Sequence, residues 1–382
     1  MKQLIFLILL LACTRVFSYP HFVGYGYTSC VTCHYNPFGN GPLNDYGRAL
    51  SATAISARWF KEEYVSEDEI ANKSGFFYNQ PENSWFRPSF DYRGLLIKKD
   101  FGRDNQSTAY IDMMADLNLV MKFFSDRLIF SGSIGYIPTP KALENSTDDE
   151  EVINYISREA YVGIRPFASI GLYAGLMDKV YGVRIPEHVA YSRSITNLSH
   201  NDQSVGVQIH YVKNMFEIGL NSFIGNTVQD ESLRQQGNSA KIDYLISNKG
   251  SVGVSVLKSK SEFLDIYMNA FHFKTSVGKG TSVLGEFGEV KKTAVQKSEI
   301  DTTSYALAQA NVNLDRGIFL INTVEYLKET SNDFRFRFGP GLQVFPAQRV
   351  EFRFDLYNTR TFSEDFATKD TIDFLTQLHL WF

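Results

Sequence analysis

The chain has 382 residues, with 38 Lys plus Arg against 42 Asp plus Glu and a net charge of −4. It therefore lacks the basic excess that nucleic-acid binding draws on. Aromatic residues make up 14% of it, and only three cysteines occur, which excludes a disulfide framework. Beyond the leader no apolar run approaches the roughly 18 residues of a membrane-crossing helix, so any crossing is made by strands. At roughly 150 residues per domain, the length allows one large domain and a small one.

Met1 and Lys2 give a basic start, Leu4 to Ala12 an apolar stretch, and Val16-Phe17-Ser18 a cleavage site before Tyr19. The pattern predicts a signal peptide over residues 1–18. Leu10-Leu11-Ala12-Cys13 also fits a lipoprotein box, which would lipidate Cys13 instead. Either way the chain is exported, and its remaining cysteines meet an oxidising compartment.

Cys30-Val31-Thr32-Cys33-His34 has the C-x-x-C-H spacing of c-type haem attachment. Two thiols so spaced can form thioethers with the two porphyrin vinyl groups, and the adjacent His34 imidazole reaches the iron as proximal ligand. A zinc site would need two more ligands at a recognisable spacing. A thioredoxin-like pair would follow a strand, whereas this one lies in a loop rich in Gly, Tyr, Asn and Pro. A plain disulfide between Cys30 and Cys33 is the remaining alternative.

The surroundings read as a small haem wrapper over residues 19–75. Gly24, Gly26, Gly39 and Gly41 with Pro37 and Pro42 predict irregular turns. Leu43 to Trp59 reads as a short helix, and Ser66 with Glu69 as a capping box for a second one before Gly75. From Gly26 to Gly47 the chain reads Gly-Tyr-x-x-Cys-x-x-Cys-His-x-Asn-Pro-x-Gly-x-Gly-Pro-Leu-Asn-x-Tyr-Gly. The stretch from Tyr19 to Leu50 that carries this pattern resembles the N-terminal monohaem segment of bacterial outer-membrane barrel–cytochrome fusion proteins. The specific likeness covers about thirty residues, and the remainder is similar only in architecture.

From residue 84 to 382 the pattern changes to period two. Ile111, Met113, Ala115, Leu117, Leu119 and Met121 alternate with a second set, as do Phe216, Ile218 and Leu220, and Val252, Val254 and Val256. Near the end Phe334, Phe336 and Phe338 alternate with Arg335 and Arg337, and Phe352, Phe354 and Leu356 with Glu351, Arg353 and Asp355. Half-buried strands of a soluble sandwich would also alternate. The runs are long for globular strands and suit tilted membrane strands.

Connections alternate in length as well. Those at 123–126, 165–168, 213–215, 248–250, 314–316 and 345–348 are short, and those at 138–151, 181–203, 225–238, 291–303 and 359–370 long. Outer-membrane barrels have short periplasmic turns and longer external loops. Phe374, Leu378, Leu380 and Phe382 share one face, which resembles the C-terminal signal read by the barrel-insertion machinery. The expected fold is all-β, a transmembrane antiparallel barrel of about 16 strands, or 14, preceded by the haem-binding segment. Its charged rows face a wet lumen, and an even count puts both chain ends on the periplasmic side.

The second iron ligand is less legible. His21, just upstream, is the candidate distal ligand, and no methionine follows the motif until Met113. A five-coordinate iron, or a Tyr or Asn neighbour, stays open. In the strand register His210, His272 and His379 face the lumen near the periplasmic end. The stretch from Tyr181 to Arg193, which also looks like a segment recurring in the barrel half of those fusions, is an external loop or an inward constriction. There Arg184, His188 and Arg193 would set a positive field. No hydrolase constellation is legible, and no distal acid–base residue marks a peroxidase.

The expectation is thus one covalent haem c on Cys30, Cys33 and His34, in an outer-membrane protein moving electrons at the periplasmic side. It would take them from periplasmic electron carriers, with lipid around the barrel and no nucleic acid. The alternative is a porin-class channel in which the segment is a plug, sensor or folding staple.

Overall fold

The computed structural model describes residues 20–60, 65–76, 85–103, 106–137, 154–187, 189–198, 201–227, 229–247, 249–296, 300–330, 333–363 and 369–382. The leader with Cys13, and His188 and His200, lie outside the described residues.

The barrel is a single antiparallel sheet of sixteen strands. They are β1 (Phe86–Lys99), β2 (Ser107–Phe123), β3 (Leu128–Ile137), β4 in two pieces (Asn154–Ile156 and Ala160–Phe167), β5 (Ile170–Met177), β6 (Ser204–Lys213), β7 (Phe216–Phe223) and β8 (Gln236–Ser247). The second half is β9 (Gly250–Lys260), β10 (Leu264–Gly278), β11 (Thr281–Ala294), β12 (Ile300–Asp315), β13 (Ile318–Lys328), β14 (Phe334–Ala347), β15 (Val350–Phe362) and β16 (Lys369–Trp381). Each strand pairs with the next, and β16 pairs back onto β1 with Arg93 opposite His379 and Leu95 opposite Gln377. Closure leaves no unpaired edge, so the count of sixteen holds, and a strand of fourteen residues such as β1 can cross a tilted barrel wall.

The alternation sorts by face. Leu117, Ile134, Val207, Val254 and Phe287 project outward and are half exposed, forming the apolar belt of a membrane-spanning barrel. Their neighbours Asp116, Asn118, Gln208, Ser255 and Glu286 are buried inside. The inward row Glu351, Arg353 and Asp355 behaves as its spacing implies. Two further tight connections, at 279–280 and 261–263, are added to those read from the sequence.

β4 is broken by a bulge that period-two reading does not reveal. Gly132 pairs with Ala160 and Gly135 with Ile156, which leaves one extra residue on β4. Ser133 Oγ accepts from both Arg158 N–H and Glu159 N–H at 2.9 Å, and Ser133 N–H donates to Glu159 O at 2.8 Å. Two consecutive side chains that a regular strand would send to opposite faces are thereby both aimed into the lumen.

The lumen is filled from both ends. At the short-turn end lies the N-terminal segment, with α1 (Pro20–Gly24), a 3-10 turn at Cys30–Thr32, α2 (Asp45–Leu50) running into a π turn (Ser51–Ile55), and α3 (Glu67–Asn72). The helix expected over 43–59 is therefore shorter. Thr53 Oγ1 donates to Ala49 O at 2.8 Å and Ser56 N–H reaches back five residues to Ser51 O, after which the backbone turns extended. Ser66 caps α3 by accepting Glu69 N–H at 3.1 Å. From the long-connection end, the stretch after β5 folds inward, with Val180, Ile185 and Ala190 buried, as are Tyr191, Ser192, Arg193 and Thr196 of α4 (Tyr191–Thr196).

Candidate functional site

Asn44 organises the C-x-x-C-H turn. Its N–H donates to Cys33 O at 2.8 Å and its Nδ2 to Thr32 O at 3.0 Å, while its Oδ1 accepts Gly47 N–H at 2.8 Å and so caps α2. One side chain thus ties the motif to the helix behind it. Gly47 lies against the Cys33 carbonyl so closely that a Cβ has no room. Gly39 takes φ +83°, with Cys30 Sγ 3.3 Å from where its Cβ would sit.

The segment is moored to the barrel wall around its whole rim. Gly280 N–H donates to Gly24 O at 3.0 Å, Lys274 Nζ to Thr28 O at 2.5 Å, and Ser29 Oγ to Glu217 Oε1 at 2.7 Å. Arg87 and Lys122 converge on Asp45 at 2.7 and 2.9 Å. Burial opposes ionisation of Asp45, but these two cations outweigh it and hold its carboxyl below the usual range. Arg165 Nη2 donates to Tyr35 O at 2.9 Å, and the Phe38 ring meets His210 edge-on at 5.3 Å.

The inward loop is fixed from the other side. Glu187 is ion-paired with Arg353 and accepts from Gln309 Nε2 at 2.7 Å. Tyr191 N–H donates to Glu325 Oε1 at 2.6 Å, and Lys241 Nζ to Gly182 O at 2.9 Å. Plug and loop meet where Asn40 Nδ2 donates to Asp178 Oδ2 at 2.6 Å, and Arg184 pairs with the same Asp178 at 3.0 Å. Arg184 and Arg193 thus lie within the lumen, as the constriction reading of this loop expects.

Between them is a cavity of about 220 Å3, partly open to solvent. Cys30 and His34 line it, with apolar walls from Phe22, Ile55, Met114, Ile185, Phe345 and Trp381. Cys30 and His34 are placed to meet a c-type haem there, whereas Cys33 is buried and is not part of the lining. His34 Nδ1–H faces Gly41 O at 3.3 Å, which leaves Nε2 with its lone pair and orients the ring as metal-bound histidines are oriented. Burial, only partly offset by that carbonyl, lowers the pKa of His34 and favours the neutral imidazole. Cys33 is buried and its thiol is pushed up to about 12 by that burial and by Cys30, the reverse of an activated redox thiolate. The two thiols are not bridged to each other.

His21 is not brought to this cavity. It is buried, stacked on Phe319 at 4.1 Å, with Nε2 at 2.6 Å from Gln343 Oε1. Desolvation lowers its pKa to about 4. Its place in the fold is in the mooring of α1. His210 and His272 do face the lumen near the short-turn end, on Glu217 and Asp243 at 2.9 Å each. Only His379 of the three lines the cavity, between Glu351 (3.0 Å) and Asp91 (3.3 Å). Met114, one place beyond the methionine noted from sequence, lines it too. Its parity with Asp116 and Asn118 was the available signal.

No family model matches the chain, and no curated protein matches it. Among solved structures the barrel is similar to several outer-membrane proteins. An outer membrane protein of Vibrio cholerae, OmpT with loop L8 deleted, aligns with a TM-score of 0.59 at 8% identity over 78% of this chain and 100% of its own. The outer membrane channel DcaP of Acinetobacter baumannii gives 0.57 at 12% over 78% and 97%, and the anion-selective porin of Comamonas acidovorans 0.55 at 8% over 78% and 99%. The likeness is one of fold. The aligned share of this chain equals that of residues 85–382.

Proposed function

We propose that this chain is an outer-membrane barrel that carries one covalent haem c inside its lumen and transfers electrons there. The observation that supports this best is that Cys30 and His34 line a chamber bounded by the N-terminal segment on one side and the inward loop on the other. Cys30 and Cys33 would hold the group through thioethers, and His34 Nε2 would ligate its iron. The bound iron would supply one-electron exchange. The chain's own residues hold the His34 ring on the Gly41 carbonyl and would present apolar side chains to the macrocycle.

With the plug at the short-turn end, periplasmic electron carriers would meet the segment there, lipid would surround the apolar belt, and the insertion machinery would read the last strand. An apolar band of about 25 Å means that a single haem needs a further partner to carry electrons outward. The comparisons favour the second reading over the first: the similar solved structures include an outer membrane channel and an anion-selective porin, and on that reading the segment is the plug, sensor or folding staple of a channel.

A haem-stained denaturing gel of the outer-membrane fraction, boiled and unboiled, separates the readings. The proposal expects haem stain that survives boiling on a band whose mobility shifts with heat, loss of stain in the Cys30→Ser, Cys33→Ser double variant, and low conductance in planar bilayers. A heat-shifting band with no stain and a large steady conductance overturns it in favour of the channel.

A further inference from the structure

Four carboxylates line the lumen cavity, and each is answered by the protein itself. Asp116 pairs with Arg158, Glu351 with His379 and Gln343, Asp91 with His379 and Asn118, and Glu159 with Ser131 and Asn36. Of the guanidiniums on the same cavity, Arg48 and Arg193 are not answered in kind. Arg48 donates only to the carbonyls of Leu43 (3.2 Å) and Pro88 (3.1 Å), and Arg193 to that of Ile185. Neither has a carboxylate at ion-pair distance among the described residues. Arg193 is 8% exposed, and its Nε has no hydrogen-bond partner among them. Burial lowers its pKa only to about 10, so it is a cation at neutral pH. A buried charge without a counter-ion is costly, and a haem brings carboxylates of its own.

We infer that Arg193 is the counter-ion of a haem carboxylate, so that the inward loop holds the cofactor from the side opposite Cys30 and His34. This rests on the haem reading above. Arg193 sits on α4, whose first N–H is fixed by Glu325 and whose preceding turn is anchored through Glu187 to Arg353. The guanidinium is therefore presented by a braced element. Its fork matches a carboxylate, and its charge favours the reduced haem, which carries one more negative charge than the oxidised form. Arg48 belongs to the plug that carries the cysteines and does not report on the loop.

The test uses the full-length protein with Arg193→Gln and Arg193→Lys, titrated electrochemically from pH 5 to 10. Haem content and the heat-dependent gel shift are followed alongside. In Arg193→Gln the reduced-to-oxidised ratio at the wild-type midpoint falls about tenfold at pH 7, or ~59 mV for a one-electron couple. Its midpoint climbs again toward acid pH, because the carboxylate that lost its cation takes up a proton. Arg193→Lys matches wild type near pH 6 and drops in the alkaline range as the buried amine deprotonates, so this arm decides the matter should the Gln variant fail to assemble. Haem-bearing variants with the wild-type potential and pH profile overturn the inference and leave Arg193 as a pin for the loop. A wild type without haem overturns the haem reading itself, and the inference with it.

Discussion

In the barrel wall, backbone donors and acceptors are consumed by strand ladders that run in register for ten pairs or more, as between β13 and β14. In the segment from residue 20 to 60 they are met one at a time, by Asn44, by glycine turns and by wall side chains such as Lys274 and Arg165. A ladder is redundant, since the loss of one side chain leaves its backbone bonds in place. The plug is not redundant: Asn44 alone serves the C-x-x-C-H turn and the cap of α2. The wall should therefore tolerate change at most positions and fail through burial of charge, whereas the plug should fail through single contacts.

The largest effect is expected where the two regions meet. Arg353→Met leaves Glu187 and Asp355 buried without their cation, a loss of about 3–5 kcal/mol. Because the ladder survives, the expected outcome is a closed barrel whose inward loop is released, read as a rise in single-channel conductance and protease cleavage within residues 178–198. Next, Leu117→Arg puts a charge on the outer belt, where Leu117 is 50% exposed, and costs roughly 2–4 kcal/mol. The fraction of heat-shifting species after refolding into lipid should fall, with no specific effect on the plug. Equal sensitivity of wall and plug to such changes would break the contrast.

Smaller effects sharpen it. Gly47→Ala drives a Cβ into the Cys33 carbonyl, overpacking that costs about 1–3 kcal/mol. The expected result is reduced haem loading with unchanged barrel yield. Asp45→Asn loses one charge partner of Arg87 and Lys122; at a half-open site this is about 1 kcal/mol, seen as faster amide exchange in α2. The sign of the pH effect follows from the lowered Asp45 carboxyl. Its contribution is present at pH values above the ordinary carboxylate range and disappears as pH falls through its depressed value. Protection of α2 in wild type should drop in acid, while the variant's protection should lack that step.

What the sequence determined by itself was local. Period two over long runs and the short–long rhythm of connections gave the barrel, its count of sixteen and the inward parity of Glu351, Arg353 and Asp355, because side-chain face is a property of the next residue along the strand. The Cys30–His34 pentapeptide and the Ser66 cap were equally legible. Tertiary structure decided the rest. The β4 bulge rests on one Ser133 hydroxyl from a neighbouring strand. His21 goes to Gln343 and Phe319, more than 290 residues on, so proximity in sequence to the motif did not place it in the chamber. Met114, His379 and Arg193 come from three distant parts of the chain, and only closure of the sheet and the inward fold of the loop set them around one cavity. Parity tells a residue which face it is on; its neighbours across a closed lumen depend on every strand between them.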